Sequence, residues 1–331
     1  ELSYSIQDNL YPSPTRFYRQ MHNTTLDLKL NHEQPIVRDW GEDNKLMLGA
    51  SLVRRTRDYS ENRYSFVSQG VEYNGNPNDY FSHENMNVIP GTSAEATNYL
   101  YLRDDTEIQN SYEASESVLG VYSMVNVAPT EKLMLNGGVR LEVTEMLLES
   151  DKLKDETLLP ALQENFLGTL NVVDVLPSLN VTFKLREEDY SSTNLRFSAS
   201  QSVARPLFRE KAPFSVFDFE IQEQQTGNTD LNRTKIVNID GRLEVFPRLR
   251  ELLSLSAFYK HFNDPIEQVI ISTAANTEIT WKNVEQAQLF GLEFEAKKNL
   301  GFLSERLSAF NLAFNATYIQ SATSIAEDEL M

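Results

Sequence analysis

Cysteine is absent from the 331 residues, and tryptophan occurs only twice. Without thiols there is no disulfide scaffold, no thiolate metal site and no cysteine nucleophile. Basic side chains are scarce beside acidic ones, 30 against 48, giving a net charge of -18. That balance repels phosphate and sets nucleic acid aside as a partner. No run approaches the roughly 18 consecutive apolar residues of a membrane-spanning helix. The opening stretch ELSYSIQDNLYPSPT has no basic region followed by an apolar one, so it does not pattern as a signal peptide. These absences leave a β-barrel open, because its strands alternate and its mean hydropathy, here -0.41, stays low.

What is present is alternation. Leu26, Leu28 and Leu30 share a face opposite Asp27, Lys29 and Asn31, and Leu46, Leu48, Ala50 and Leu52 oppose Lys45, Gly49 and Ser51. A less regular run from Ser117 to Val127 follows, then Leu133, Leu135, Val139, Leu141 and Val143 against Asn136, Arg140, Glu142 and Thr144. The same period organises Leu179–Leu185, Leu195–Val203, Val237–Val245, Leu253–Tyr259, Phe290–Ala296 and Phe310–Tyr318. Period two with one apolar face reads as β-strand, and the pattern predicts about ten long strands.

The connections alternate as well. Short links are expected at Ala128–Lys132, Arg186–Thr193, Pro247–Glu251 and Asn299–Arg306, with a somewhat longer one near Glu33–Asn44. Between them lie polar segments of about twenty to forty residues, at Val67–Glu107, Ser150–Asn171, Arg205–Arg233 and Asn263–Glu285, well beyond ordinary loop length. Antiparallel strands would place every short link at one end of the sheet and every long segment at the other, as in outer-membrane barrels.

A soluble β-sandwich also alternates, and accounts for any single strand. Its strands are shorter, about five or six residues, whereas a tilted strand crossing a bilayer needs about nine to eleven. Several runs here keep their alternation over that longer distance. The fold expected is therefore all-β: a transmembrane antiparallel β-barrel.

SQSVARPLFREKAPFSVFDF (Ser200–Phe219), GNTDLNRTKIVNIDGRLEVFP (Gly227–Pro247) and LLSLSAFYKHFNDPIEQVI (Leu252–Ile270) resemble the barrel of Bacteroidetes-type TonB-dependent outer-membrane receptors. EKLMLNGGVRLEVTE (Glu131–Glu145) and AQLFGLEFEAKKNL (Ala287–Leu300) resemble the same family. The resemblance extends over most of Thr15–Gln320 and is most specific at Ala204–Phe214. It implies a barrel of about 22 strands. It also implies an N-terminal plug that contacts a periplasmic TonB-type protein, and residence in the outer membrane of a Gram-negative bacterium. With about ten strands visible, residues 1–331 are expected to form part of such a barrel, without plug or terminal strands. The implied activity is TonB-energised uptake of a scarce nutrient: siderophore, vitamin, glycan or peptide. The implied surroundings are bilayer and lipopolysaccharide, with a surface lipoprotein or other outer-membrane subunits as further partners. Two other readings share the strand pattern. One is a receptor-like barrel serving as a structural subunit of a larger outer-membrane complex; the other is a soluble secreted glycan-binding β-protein.

Nothing in the sequence argues for an enzyme, a cofactor or a metal. His22, His32, His83 and His261 are scattered without ligand spacing. Asp104-Asp105, Glu187-Glu188-Asp189 and Glu327-Asp328-Glu329 lack calcium-loop spacing and read as solvated charge. Gly137-Gly138, inside a strand, marks close backbone approach or a bend rather than a phosphate loop. Tyr59, Tyr64 and Phe66, with Tyr259 and Tyr318, read either as an interfacial aromatic girdle or as cross-strand packing. The Asn-, Gly- and Tyr-rich stretch Tyr73–Tyr101 has a composition suited to a polar ligand or to a plain surface loop. No individual residue is assigned to ligand binding at this stage.

Overall fold

The computed structural model describes residues 14–36, 44–86, 98–218, 223–272 and 277–324. The alternating runs become strands. In chain order these are β1 (Thr15–Pro35), β2 (Lys45–Gln69), β3 (Tyr99–Asp104), β4 (Tyr112–Thr130), β5 (Leu133–Ser150), β6 (Leu167–Glu188) and β7 (Ser191–Ala204). Then come β8 (Ser215–Asp218), β9 (Glu223–Thr226), β10 (Thr234–Phe246), β11 (Leu252–Asn263), β12 (Ile266–Ser272), β13 (Thr277–Asn283), β14 (Gln286–Asn299) and β15 (Asn311–Ser324).

Ten of them form one antiparallel sheet in the order β1-β2-β4-β5-β6-β7-β10-β11-β14-β15. β3 is added beside the far end of β2, from Tyr64↔Asp104 to Gln69↔Tyr99. These ten are the expected ten. They run longer than the alternation suggested, up to 25 residues in β2, because polar residues continue the ladder beyond the apolar stretch. Neighbours in this order follow one another along the chain, with β3, β8–β9 and β12–β13 inserted in the long connections. The sheet is open among the described residues, with β1 and β15 at its two edges.

The two faces are inverted relative to a water-soluble sheet. Leu28, Val173 and Leu255 are 55%, 64% and 56% exposed, whereas Thr144, Asp174 and Ser254 are 0%, 3% and 2% exposed. Fully burying a leucine is worth about 1.5–3 kcal/mol, so a soluble fold would turn these residues inward. Here the apolar face is the uncovered one, along the whole row from Leu26 to Tyr318. A sheet that hides its carboxylates and shows its leucines is built for a hydrocarbon solvent. This excludes the sandwich reading.

Local chemistry sets the hairpins. Only Glu131 and Lys132 separate β4 from β5, and only Asp189 and Tyr190 separate β6 from β7. Between β10 and β11 the chain turns at Arg250, which takes a positive φ of 68°. The last short link is longer than expected: residues 300–310 hold two 3-10 turns, Leu300–Phe302 and Glu305–Leu307, before β15 begins. Gly138 marks close approach, as read from the sequence. A Cβ there would lie 2.3 Å from the Ser123 carbonyl oxygen.

The long polar segments are not plain loops. Residues from Arg205–Arg233 and Asn263–Glu285 assemble a second sheet, β12-β13-β9-β8, in which β9 and β13 run parallel. Short-range alternation could not announce this sheet, since its strands have four to seven residues and pair across separate loops. Tyr73–Tyr101 contains helical turns at Pro77–Tyr80 and His83–Met86. The Glu327-Asp328-Glu329 cluster, and the N-terminal stretch up to Ser13, lie outside the described residues.

Candidate functional site

β7 ends at Ala204, and the chain that follows folds onto the polar face of the sheet. Arg205 crosses to β5, where its Nη2 donates to Glu142 Oε2 at 2.5 Å and its Nε to Thr144 Oγ1 at 2.8 Å. From the other side Arg140 Nε donates to Glu142 Oε1 at 2.6 Å, and its Nη2 to Ser51 Oγ at 2.7 Å. The segment returns at Arg233, whose Nε reaches Asp174 Oδ1 at 2.7 Å on β6. Glu142 and Asp174 are register partners on adjacent strands, so one pair of buried carboxylates holds both ends of the segment.

Between those anchors the segment packs by apolar contact. Ala212, Phe214 and Val216 join Tyr112, Ala114 and Leu148 in a buried cluster, with Tyr59 and Phe208 against it. Asn110 clamps the top, its Nδ2 donating to Glu61 Oε1 at 2.9 Å and to the Ser215 carbonyl at 3.2 Å. Its Oδ1 accepts from Ser215 N at 3.2 Å. A helical turn, Phe208–Lys211, begins where Glu210 Oε2 accepts from Leu207 N at 2.8 Å. Lys211 is 1% exposed and donates to the carbonyls of Thr229 and, at 2.7 Å, Leu231. Burial without a carboxylate ligand pushes its ammonium down to about 8. Gly227 lets the two limbs of the segment touch, since a Cβ there would sit 1.9 Å from the Ala212 carbonyl oxygen.

Beneath this cover lies a pocket of about 890 Å³, walled by the polar faces of β1, β2, β4 and β5. Its lining is rich in guanidinium: Arg19, Arg55, Arg57, Arg140, Arg205 and Arg209. Four of the six meet carboxylates. Arg19 pairs with Glu61 at 2.6 Å, Arg55 with Glu116 at 3.2 Å, and Arg140 and Arg205 share Glu142. Arg57 instead donates to Asn23 Oδ1 at 2.8 Å and to the Tyr112 hydroxyl at 3.4 Å, and Arg209 to Gln225 Oε1. Tyr59, Tyr112 and Phe214 stack beside them, with centroids 5.3 to 5.6 Å apart. Further along the same face Arg196, Glu244, Arg242 and Glu295 continue a chain of ion pairs at 2.8 to 3.2 Å.

Several sequence readings are relocated. Tyr59 does not join an outward girdle with Tyr64 and Phe66. An odd-numbered neighbour on a pleated strand faces the other way, and Tyr59 lines the pocket while Tyr64 and Phe66 border an outward groove with Tyr18. The described residues of Tyr73–Tyr101 do not line the pocket; Tyr73, Tyr80 and Phe81 pack on one another and on Phe66. The histidines stay apart: His261 Nε2 contacts Asn263 Oδ1 at 3.1 Å, and no metal-binding group occurs among the described residues. The pocket arginines carried a signal that the sequence reading passed over. Arg55 and Arg57 sit at i and i+2 on the face opposite Leu46–Leu52.

An inverted antiparallel sheet with a charged, loop-covered inner wall fits few families. The model of the family "TonB dependent receptor-like, beta-barrel" matches residues 2–329. This chain belongs to the TonB-dependent receptor β-barrel family. No curated protein matches it by sequence. Among solved structures, the copper transporter OprC superposes with a TM-score of 0.58 at 15% identity, over 93% of this chain and 38% of that one. A ferric enterobactin receptor of Pseudomonas aeruginosa, PfeA, gives 0.51 at 16% identity, over 91% and 36%. The RagAB peptide transporter gives 0.52 at 13% identity, over 94% and 31%. At such identities the likeness is one of fold. The chain spans 31 to 38% of the length of these three chains. TonB-dependent receptors reside in the outer membrane of Gram-negative bacteria and are transport proteins rather than enzymes. The uncovered apolar face of this receptor barrel is its lipid face, and the pocket opens on its lumen.

Proposed function

We propose that this chain forms part of the wall of an importer that takes up a scarce nutrient across the outer membrane, driven through a periplasmic TonB-type protein. The observation that carries the reading is the covered, arginine-lined pocket on the lumenal face, where a transported solute meets protein rather than lipid. The whole receptor has a plug domain that delivers the TonB contact, and β1 and β15 pair with further strands toward a barrel of about 22. Residues along both edge strands are exposed throughout β15 and nearly throughout β1. An unpaired backbone group in hydrocarbon costs several kcal/mol, which favours closure. The Bacteroidetes type of receptor is supported by the stretches Ser200–Phe219 and Gly227–Pro247. Copper, an enterobactin-type siderophore and peptide, the ligands named for the three solved relatives, bracket the candidate cargo. Other outer-membrane subunits, such as a surface lipoprotein, and lipopolysaccharide complete its surroundings.

The test is uptake by cells carrying the full-length receptor, with and without a functional TonB system, across labelled siderophore, vitamin, oligosaccharide and peptide pools. Accumulation of one class that ceases without TonB is expected. A receptor that accumulates none of them, yet co-purifies in fixed ratio with other outer-membrane proteins, would establish the structural-subunit reading instead.

A further inference from the structure

Three carboxylates answer the six arginines of the lumenal pocket: Glu61, Glu116 and Glu142. The residual charge is not spread evenly. Within the described residues Arg57 and Arg209 have no carboxylate within ion-pair distance; they rest on the neutral oxygens of Asn23, Tyr112 and Gln225. Both line the pocket beside Tyr112, whose hydroxyl accepts from Arg57 Nη1 at 3.4 Å. They therefore face one locality. In a chain of net charge -18, two arginines without carboxylate partners in one pocket stand against the prevailing field.

The surroundings narrow the chemistry further. Phe208 lies under Arg57, with the guanidinium carbon 5.4 Å from the ring centroid, and Tyr59, Tyr112 and Phe214 form a stacked wall. Height matters as well. The outward apolar run of β2 that starts at Leu46 is interrupted after Leu52 by Arg54, Thr56 and Asp58, before the aromatic Tyr64 and Phe66. Arg57 lies about 17 Å beyond Leu52 along the strand, at about 3.3 Å per residue. This places Arg57 on the long-loop side of Leu52, while Glu142 lies level with Ser51 across β4.

We propose that Arg57 and Arg209 form an oxyanion subsite in the lumenal pocket. Its ligand carries a carboxylate, sulfonate or phosphate group on a flat apolar or aromatic body. Planar guanidiniums donate forked hydrogen bonds to such groups, and the partly exposed rings of Tyr59 and Phe208, which line the same pocket, take the body. The biological meaning of the subsite rests on the import reading; its binding chemistry does not.

The experiment titrates the full-length receptor in detergent, by calorimetry, with phenyl phosphate and benzoate, against benzamide as a ring of the same shape without charge. Both anions bind and benzamide does not, and affinity falls as sodium chloride is raised. Arg57→Gln or Arg209→Gln each weakens the anions about tenfold or more. Arg209→Lys retains part of the affinity, and Arg186→Gln, at a distant turn, changes nothing. Retention of the heat-dependent gel shift verifies folding in each variant. Because Arg209 is solvent-exposed on its helical turn, its variants remain informative if those at Arg57 fail to fold. Equal binding of benzamide and phenyl phosphate, no binding of either anion, or anion affinity indifferent to both substitutions overturns the proposal. Anion binding without TonB-dependent uptake sinks the import reading alone. TonB-dependent uptake with no preference for anions sinks the subsite alone.

Discussion

Leu141 and Glu142 are neighbours on β5 that face different solvents. Leu141 is 42% exposed on the outer face; Glu142 is 9% exposed and ligated by two arginines. The outer face is held by nothing but its match to lipid, so it tolerates any apolar side chain and no charge. The inner face is the reverse. Its buried charges are specific, Glu142 seated on two arginines and Asp174 on Arg233, and its failures are local. One strand carries both regimes because its side chains alternate with period two.

The largest expected effect strikes the inner face. Glu142→Leu strands Arg140 and Arg205 without their carboxylate, and losing one partner of a buried pair costs about 3–5 kcal/mol. Urea unfolding of the refolded receptor should show that loss, together with release of the segment after Ala204. An unchanged midpoint would mean that the anchor at Arg205 is incidental. Next comes the contrast across β14. Leu292→Arg places a charge on the lipid face, at about 2–4 kcal/mol near the midplane, whereas Glu293→Arg stays in the hydrated lumen and costs little. Equal loss of folded barrel in the two variants would show the faces to be wrongly assigned.

A smaller effect sharpens the comparison through pH. Lys211 is held near 8 in the folded state, below the 10.5 of an exposed lysine. Between those values the unfolded chain binds more protons than the folded one, so stability rises as pH climbs through that window. Tryptophan fluorescence in urea, which includes buried Trp281 of the loop sheet, should show the rise in wild type. Lys211→Met should abolish the rise, and should lower stability by about 1–3 kcal/mol through the two carbonyls left unpaired. Smallest of all is Arg186→Gln at the β6–β7 turn, where both members of the Arg186–Glu188 pair are more than half exposed. No measurable change in the unfolding midpoint is expected, as is usual for surface pairs.

Much of the barrel wall was legible without coordinates, for a local reason. Facing is decided residue by residue, so Leu253, Leu255 and Tyr259 announce their side from spacing alone. The less regular run in β4 still keeps a continuous register with β5 from Tyr112 to Val127, and the ladder slips only beyond it, between Val127 and Thr130. Of the two readings open for Tyr59, cross-strand packing holds, since it stacks on its register partner Tyr112, and parity separates it from Tyr64 and Phe66. The pocket was not legible, although Arg55 and Arg57 stood on the correct face, because nothing nearby in the chain reveals which acids they would meet.

The sequence by itself determined the ten strands, their two faces, the places of the short links and the family. All of these depend on residues within one or two strand lengths of each other. Only the tertiary structure decided that the segment after Ala204 folds inward, that it closes a pocket, and which arginines stay unneutralised. Those outcomes hang on pairs such as Arg205 with Glu142, 63 residues apart, and Asn110 with Ser215, 105 apart. A charged side chain carries no mark of its partner. The pairing is set by the order in which strands assemble into the sheet and by the cost of leaving any one of these groups buried alone.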